Sequence, residues 1–240
     1  MLQELSTPYC GAPPLPEDVL GRWNLDPIVL AVLAAAAVFC LARSPRPAAG
    51  LGGLLVLAVI FVSPLCALSS ALFSARTAHH VLLVALAAPL LVWATPRTAP
   101  RGQLAAAVVC QALVFWAWHA PAAYGLALRN DAIYWLMQAS LLLSAIWFWR
   151  AVRSASALAA TGALLVAMVA MGLLGAVLTF SQAPLYAPHL ASTFAFGLTP
   201  LEDQQAAGLM MWVPAAGVYL LAALVAVRDL LITGPREHAL

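Results

Sequence analysis

Residues 155–180, "ASALAATGALLVAMVAMGLLGAVLTF", carry no charged side chain over a length that can cross lipid. A hydrocarbon core about 30 Å thick takes roughly 20 apolar residues as a helix. The stretch therefore predicts a transmembrane helix. Composition extends that reading to the whole chain. Of 240 residues, 64% are hydrophobic and 8% are charged, against about 25% charged in a soluble domain. So few charges cannot cover a water-facing surface. Six further stretches read the same way, at about 25–42, 50–72, 78–95, 103–121, 132–149 and 204–227. The connecting segments are mostly short and rich in Pro, Arg and Ser. The expected fold is an all-α integral membrane protein, a bundle of about seven transmembrane helices without a soluble domain. An external segment at 1–24 precedes the bundle at 25–228, and a cytoplasmic tail at 229–240 follows it. Small residues such as Gly172 and Gly175 suit close helix packing in lipid. The opening stretch "MLQELSTPYCGAPPLPEDVLGRW" has neither a basic n-region nor an apolar h-region, so no cleaved signal peptide is expected.

Orientation follows from arginine placement, because cytoplasmic loops collect positive charge. With the N-terminus outside, Arg43, Arg46, Arg97, Arg101, Arg150, Arg153, Arg228 and Arg236 all lie inside, and Arg22, Arg76 and Arg129 lie outside. The opposite topology reverses that ratio. Most acids then face outward, including Glu17, Asp18, Asp131, Glu202 and Asp203.

This orientation sorts the polar chemistry by side. "FWAWHAPAAY", residues 115–124, ends an apolar run with His119, and His79 and His80 open the preceding span. The two spans form a hairpin whose turn centres near position 99. His80 and His119 are nearly equidistant from that turn, so they are expected at equal depth near the outer interface. One reading is an aromatic belt, with Trp116 and Trp118 at the headgroups and the imidazole turned to water. The other is a metal site, since imidazole is a common ligand and a site draws ligands from separate elements. Met137, Met171, Met210 and Met211 are expected in the outer half and Met168 near the centre; thioethers beside imidazoles select Cu(I). Each Met read alone is a packing residue. Three of the four cysteines, Cys40, Cys66 and Cys110, lie in apolar runs and read as small hydrophobes.

"FAFGLTPLEDQQAAGLMMWVP" opens the last span. Thr199, Pro200 and Glu202 match an N-cap, N1 and capping-box position. That explains Glu202, but leaves Asp203, Gln204 and Gln205 polar at the interface. The preceding "FSQAPLYAPHL", with two Pro, Tyr186 and His189, reads as a shaped loop. Absences narrow the class. There is no lysine for a retinal Schiff base, and no Asp or Glu inside a span for proton-coupled transport. No nucleotide-binding or nucleophile motif occurs. A net charge of +2 gives no nucleic-acid surface. Haem held between two histidines remains open.

Four stretches in order, "LFSARTAHHVLLVALAAPLL", "FWAWHAPAAYGLAL", "LLGAVLTFSQAPLYAP" and "LTPLEDQQAAGLMMWVP", resemble the multi-span CtaG family of cytochrome c oxidase assembly proteins. The resemblance runs over roughly residues 20–228 and is most specific in the last stretch. It implies a bacterial cytoplasmic-membrane protein, not an enzyme, that helps copper reach the oxidase. By position, His80 and His119 match the family's span-3 and span-4 histidines. Asp203, Gln204, Gly208, Met211 and Trp212 match its last motif. Where many members have an earlier span-3 His this chain has Arg76, and His79 stands where Gln is common. The expected ligands for a transient Cu(I) are thus His80 and His119, with His79 and Met211 as candidate third ligands and Asp203 and Gln204 in support. The site is expected to be exposed and unsaturated. The implied partners are an oxidase subunit, an external copper donor and the lipid bilayer. The alternative is a haem-binding or metal-free scaffold for oxidase biogenesis.

Overall fold

The computed structural model describes residues 7–97 and 102–233, and all regular structure among them is helical. Nine α-helices follow in order: α1 Pro27–Arg43, α2 Pro47–Phe61, α3 Pro64–Ala71, α4 Phe73–Trp93, α5 Leu104–Trp118, α6 Pro121–Ala127, α7 Asp131–Ser154, α8 Ala157–Phe180 and α9 Pro200–Thr233. Each of the seven expected stretches is helix. Four of them, α4, α7, α8 and α9, are long and apolar enough to cross a membrane unaided. The pairs α2–α3 and α5–α6 are bent by 44° and 75°, which makes up to six spans if each pair counts as one. The seventh expected span, 25–42, is α1, an apolar helix of 17 residues and so shorter than a full crossing. The hairpin turn near 99, Arg101, Arg236 and His238 lie outside the described residues.

Proline placement accounts for the breaks. Pro64 and Pro121 each sit at the first position of a new helix, where a missing N–H costs nothing. Ser63 caps α3 through Leu65 N at 3.2 Å. Within α4, Pro89 has no N–H for the carbonyl four residues back, and its ring collides with that carbonyl in a regular helix. The turn before it widens into a π-segment over Leu83–Ala87. Trp149 of α7 donates its indole N–H to the Val84 carbonyl of that segment at 2.9 Å. An apolar interior tolerates an irregular turn only when a neighbour satisfies its backbone in this way.

α4 is the most enclosed of the long helices. Its first turns carry the polar heart of the bundle: Ser74, Arg76, Thr77, His79 and His80 are all buried. At its other end Arg153 donates to the Val92 and Thr95 carbonyls at 2.6 and 2.8 Å, and Arg46 donates to Trp93 O at 3.3 Å. Cations on the last carbonyls complement the helix dipole. Arg76, expected in an outer flank, is instead fully buried at the end of the first turn of α4. α8 and α9 meet at their glycines. A Cβ on Gly175 would come within 2.7 Å of Gly208 O, so the two backbones approach as only small residues allow.

Cys66 is not the free hydrophobe expected. It is disulfide-bonded to Cys10, 56 residues earlier, and so ties the N-terminal segment to α3. The segment is also held by Tyr9, which stacks on Tyr134 with centroids 4.9 Å apart and donates to Asp26 Oδ2 at 2.6 Å. Asp26 in turn caps α1 through Ile28 N at 2.8 Å. The phenol and these amides together hold its carboxyl below the usual range. Cys40 and Cys110 are free.

Candidate metal centre

The site is built on the start of α4. Leu72 stands at the N-cap and offers no side-chain acceptor, so the first amides of the helix lack a local partner. Asp203 supplies one from α9. Its Oδ2 accepts from Phe73 N at 2.6 Å, and its Oδ1 accepts from Ser74 N at 3.2 Å and Ser74 Oγ at 2.5 Å. A carboxylate at a helix N-terminus also meets the favourable end of the dipole. Asp203 can reach that far because α9 starts cleanly. Glu202 accepts from Thr199 N and Oγ1, both at 2.8 Å, and Glu202 N donates back to Thr199 Oγ1 at 3.2 Å. The reciprocal capping box expected at Thr199 and Glu202 is therefore present.

With α4 so placed, His80 meets His119, the residue that closes α5. His80 Nδ1 and His119 Nε2 are 3.4 Å apart, and the rings are perpendicular. The tautomer of His119 follows from its other nitrogen. Nδ1 lies 2.7 Å from Phe115 O, and a carbonyl only accepts, so Nδ1 carries the proton. Nε2 is left with its lone pair directed at His80. A ligating histidine held by a carbonyl on its second nitrogen is the usual arrangement in metal sites. Two nitrogens each about 2.0–2.1 Å from a tetrahedral ion are about 3.4 Å apart. The separation equals that of two ligands of one ion, and as it stands it is a hydrogen bond from His80 Nδ1–H to His119 Nε2. His80 Nε2 has no hydrogen-bond partner among the described residues.

The site is not exposed, contrary to expectation. His79 and His80 are wholly buried and His119 is 2% exposed. α4 begins at Phe73, so both α4 histidines lie in its second turn rather than at its mouth. Above them the loop between α8 and α9 folds inward. Tyr186 stacks on Phe73 with centroids 3.6 Å apart and donates to His119 O at 2.6 Å. His189 donates from Nδ1 to Ala71 O at 3.1 Å, and Tyr124 of α6 lies 2.6 Å from its Nε2. Ser192 donates to the same Ala71 carbonyl at 2.5 Å. Gln204 pins the loop from below. Its Oε1 accepts from Leu185 N at 2.6 Å, and its Nε2 donates to Ala183 O at 3.3 Å.

The remaining candidates separate from the pair. His79 turns its ring edge to Phe61, 5.0 Å away. It neighbours Gln138, yet neither of its nitrogens reaches a hydrogen bond of ordinary geometry. Met211 is fully buried on α9, with its Cβ against Gly175 of α8. Among the described residues no third His, Cys, Asp or Glu completes a cluster. Arg76 occupies the ground between. Its guanidinium carbon lies 5.3 Å from the Tyr134 ring centroid, and it adjoins the Tyr124 and Tyr134 hydroxyls. None of its three nitrogens makes a hydrogen bond of ordinary geometry among the described residues. Asp203 and Gln204, expected as support, are the braces of α4 and of the loop between α8 and α9. Sequence reasoning missed Tyr124, Tyr186, His189 and the Phe115 carbonyl as parts of the site. The cluster of Pro, Tyr and His in "SQAPLYAPHL" was the available signal for two of them.

The sequence model of the cytochrome c oxidase caa3 assembly factor family (Caa3_CtaG) matches residues 29–232. No curated protein and no solved structure matches the chain.

Proposed function

We propose, for a chain that belongs to the cytochrome c oxidase caa3 assembly factor family, that its contribution to assembly is to take up Cu(I) at His80 and His119 and pass it to an oxidase subunit. The carrying observation is the 3.4 Å approach of His80 Nδ1 to the unprotonated Nε2 of His119. Copper here is cargo. The two imidazoles accept it, and the Phe115 carbonyl keeps His119 in its ligating tautomer. The loop bearing Tyr186 and His189 sheds water from the pair and lifts for exchange. Thioethers and imidazoles favour Cu(I) over harder ions, and Met211, packed against Gly175 apart from the pair, would have to move to supply the soft donor. The membrane is the bacterial cytoplasmic membrane, with the site toward its outer side. The Cys10–Cys66 disulfide supports that orientation, because disulfides persist in oxidising compartments.

Arg76 favours a second reading, a scaffold that stabilises an oxidase intermediate without metal. A buried guanidinium beside His79 and His80 opposes the entry of another cation. Haem finds no support, because imidazole centroids 5.1 Å apart leave no slot for a porphyrin.

Both imidazoles are buried, so truncation to Ala would leave a cavity. His80→Gln and His119→Gln keep bulk and polarity. Competition with a chromophoric Cu(I) chelator should show each variant weakened at least about tenfold, the scale on which lost site partners act. Cells carrying either variant should build oxidase low in copper and normal in haem. Added copper should partly restore activity by mass action. Normal oxidase copper, with both variants folded and at wild-type levels, would leave the scaffold.

A further inference from the structure

At the end of the bundle away from the His80–His119 pair, three arginines from three separate segments converge on the last turn of α4. Arg46 lies between α1 and α2, Arg97 follows α4, and Arg153 is in the last turn of α7. Arg153 Nη1 donates to the Val92 and Thr95 carbonyls, and Arg46 Nη1 donates to the Trp93 carbonyl between them. Ser44 Oγ fixes the α1–α2 turn in this place, donating to Ala94 O at 2.7 Å and accepting from Arg46 N at 3.1 Å. The charges that act on Arg153 are those of Arg46 and Arg97, both cations.

Guanidiniums drawn this close repel one another, and no carboxylate pairs with any of the three among the described residues. Most of their donors are unspent. Arg153 and Arg46 each give only Nη1 to the helix, and Arg97 makes no hydrogen bond among the described residues. Unlike Arg76, none of them is sealed: Arg46 and Arg97 are exposed and Arg153 is half-buried. The cluster calls for an anion that can reach all three. Guanidinium forks match the paired oxygens of a phosphate better than those of a spherical ion.

The place narrows the ligand. Trp93 is 53% exposed, and its ring centroid lies 5.9 Å from the Arg153 guanidinium carbon. An exposed tryptophan among arginines at a helix end stands at the headgroup level of a bilayer. From there toward the bilayer centre the exposed side chains of α1 are apolar, with Val38, Phe39 and Leu41. A phosphate ester at this level can lay its acyl chains along that surface. The cations also discriminate between headgroups. Choline and ethanolamine bring an ammonium that the arginines repel, whereas a glycerol headgroup brings only hydroxyls. Basic clusters between helices recruit anionic lipids on these grounds.

We infer that Arg46, Arg97 and Arg153 hold the phosphodiester of an anionic phospholipid whose headgroup carries no ammonium. The site needs only a membrane–water boundary at this end of the bundle and does not depend on which leaflet it faces. The test uses the full chain in detergent micelles, with phosphatidylglycerol, phosphatidylcholine and inorganic phosphate as probes and native mass spectrometry as the readout. Phosphatidylglycerol should bind at least about 10-fold more tightly than phosphatidylcholine, and excess inorganic phosphate should not displace it. Arg46→Gln and Arg97→Gln should each weaken that binding roughly 5-fold, the contribution of one basic side chain beside an anionic headgroup. Arg43→Gln, at the same end of the bundle but not among the charges acting on Arg153, should leave it unchanged. Thermal unfolding checks the variants, and Arg97→Gln, which breaks no hydrogen bond among the described residues, decides if Arg46→Gln fails to fold. Equal binding of the two lipids, or none of either, would overturn the inference. So would displacement by inorganic phosphate, which would make this a free-anion site, and so would an equal loss in Arg43→Gln, which would make the attraction diffuse.

Discussion

Nδ1 of His189 points at the Ala71 carbonyl, and a carbonyl can only accept. The ring is therefore the Nδ1–H tautomer, and Tyr124 donates to its Nε2. A second proton would have to displace that bond inside a desolvated loop. Burial accordingly pushes the pKa of His189 down from 6.5 to about 4, with Arg76 adding to the shift and the Ala71 carbonyl opposing it. In the unfolded chain the ring binds its proton near pH 6.5. Between these values the unfolded state holds more protons than the folded one, so acid favours unfolding. The contribution is complete above about pH 6.5 and is lost as pH falls toward 4; its size is roughly 3 kcal/mol at most. Melting temperatures of the wild type in detergent should fall across that window, and His189→Asn should flatten the dependence there. Parallel curves would remove His189 as the acid-sensitive residue of the loop. Little of this was legible. The sequence marks 180–190 as a shaped loop, but Ala71 and Tyr124 are 118 and 65 residues away, and no local pattern announces them.

At the scale of elements, α4 depends on its neighbours at both ends: Asp203 at the start, Arg46 and Arg153 at the finish. Asp203→Ala strands the Phe73 and Ser74 amides in an apolar interior, which should cost roughly 3 kcal/mol. Asp203→Asn keeps one acceptor and should cost less. Thermal unfolding of the two variants orders them, and equal stability to wild type would show that the amides find water instead. The same result decides how Asp203 variants are read in cells. A fall in oxidase after Asp203→Ala reports a loosened α4, not a lost docking surface. The seven helical stretches were legible because apolar length is a local property. The start of α4 was not. "FSART" reads as a polar flank, and only Asp203 of α9 together with the inward fold of the 181–199 loop makes it part of a buried site. The π-segment was equally hidden, although Pro89 was in plain view. Whether a proline kinks, ends or widens a helix depends on its neighbours, and here Trp149, 65 residues on from Val84, satisfies a carbonyl of the widened turn.

For the whole molecule, orientation is the property on which every statement about sides depends. Arg76 is buried in α4 and leaves the loops expected outside with Arg22 and Arg129, so the expected arginine asymmetry grows. Two independent features then point the same way. Arginine excess retains one set of loops in the cytoplasm, and the Cys10–Cys66 disulfide needs the opposite side to be oxidising. Each gives its own measurement. Reporter fusions after Arg43, Gly102 and Arg153 should read as cytoplasmic, and a fusion near Ser192 as external. Under denaturing, non-reducing conditions a maleimide should modify Cys40 and Cys110 alone, and Cys10 and Cys66 only after reductant. The two results are coupled by chain geometry. Cys66 lies on α3, whose Ala71 carbonyl receives His189 and Ser192, so the disulfide and the 181–199 loop occupy one end of the bundle. An external report at Ser192 with a reduced Cys10–Cys66 pair would mean that the thiols meet an oxidant too slowly, and the topology would stand. A cytoplasmic report at Ser192 would put the His80–His119 pair on the reducing side, where it could receive copper only from a cytosolic donor, and would end the proposal of delivery from outside.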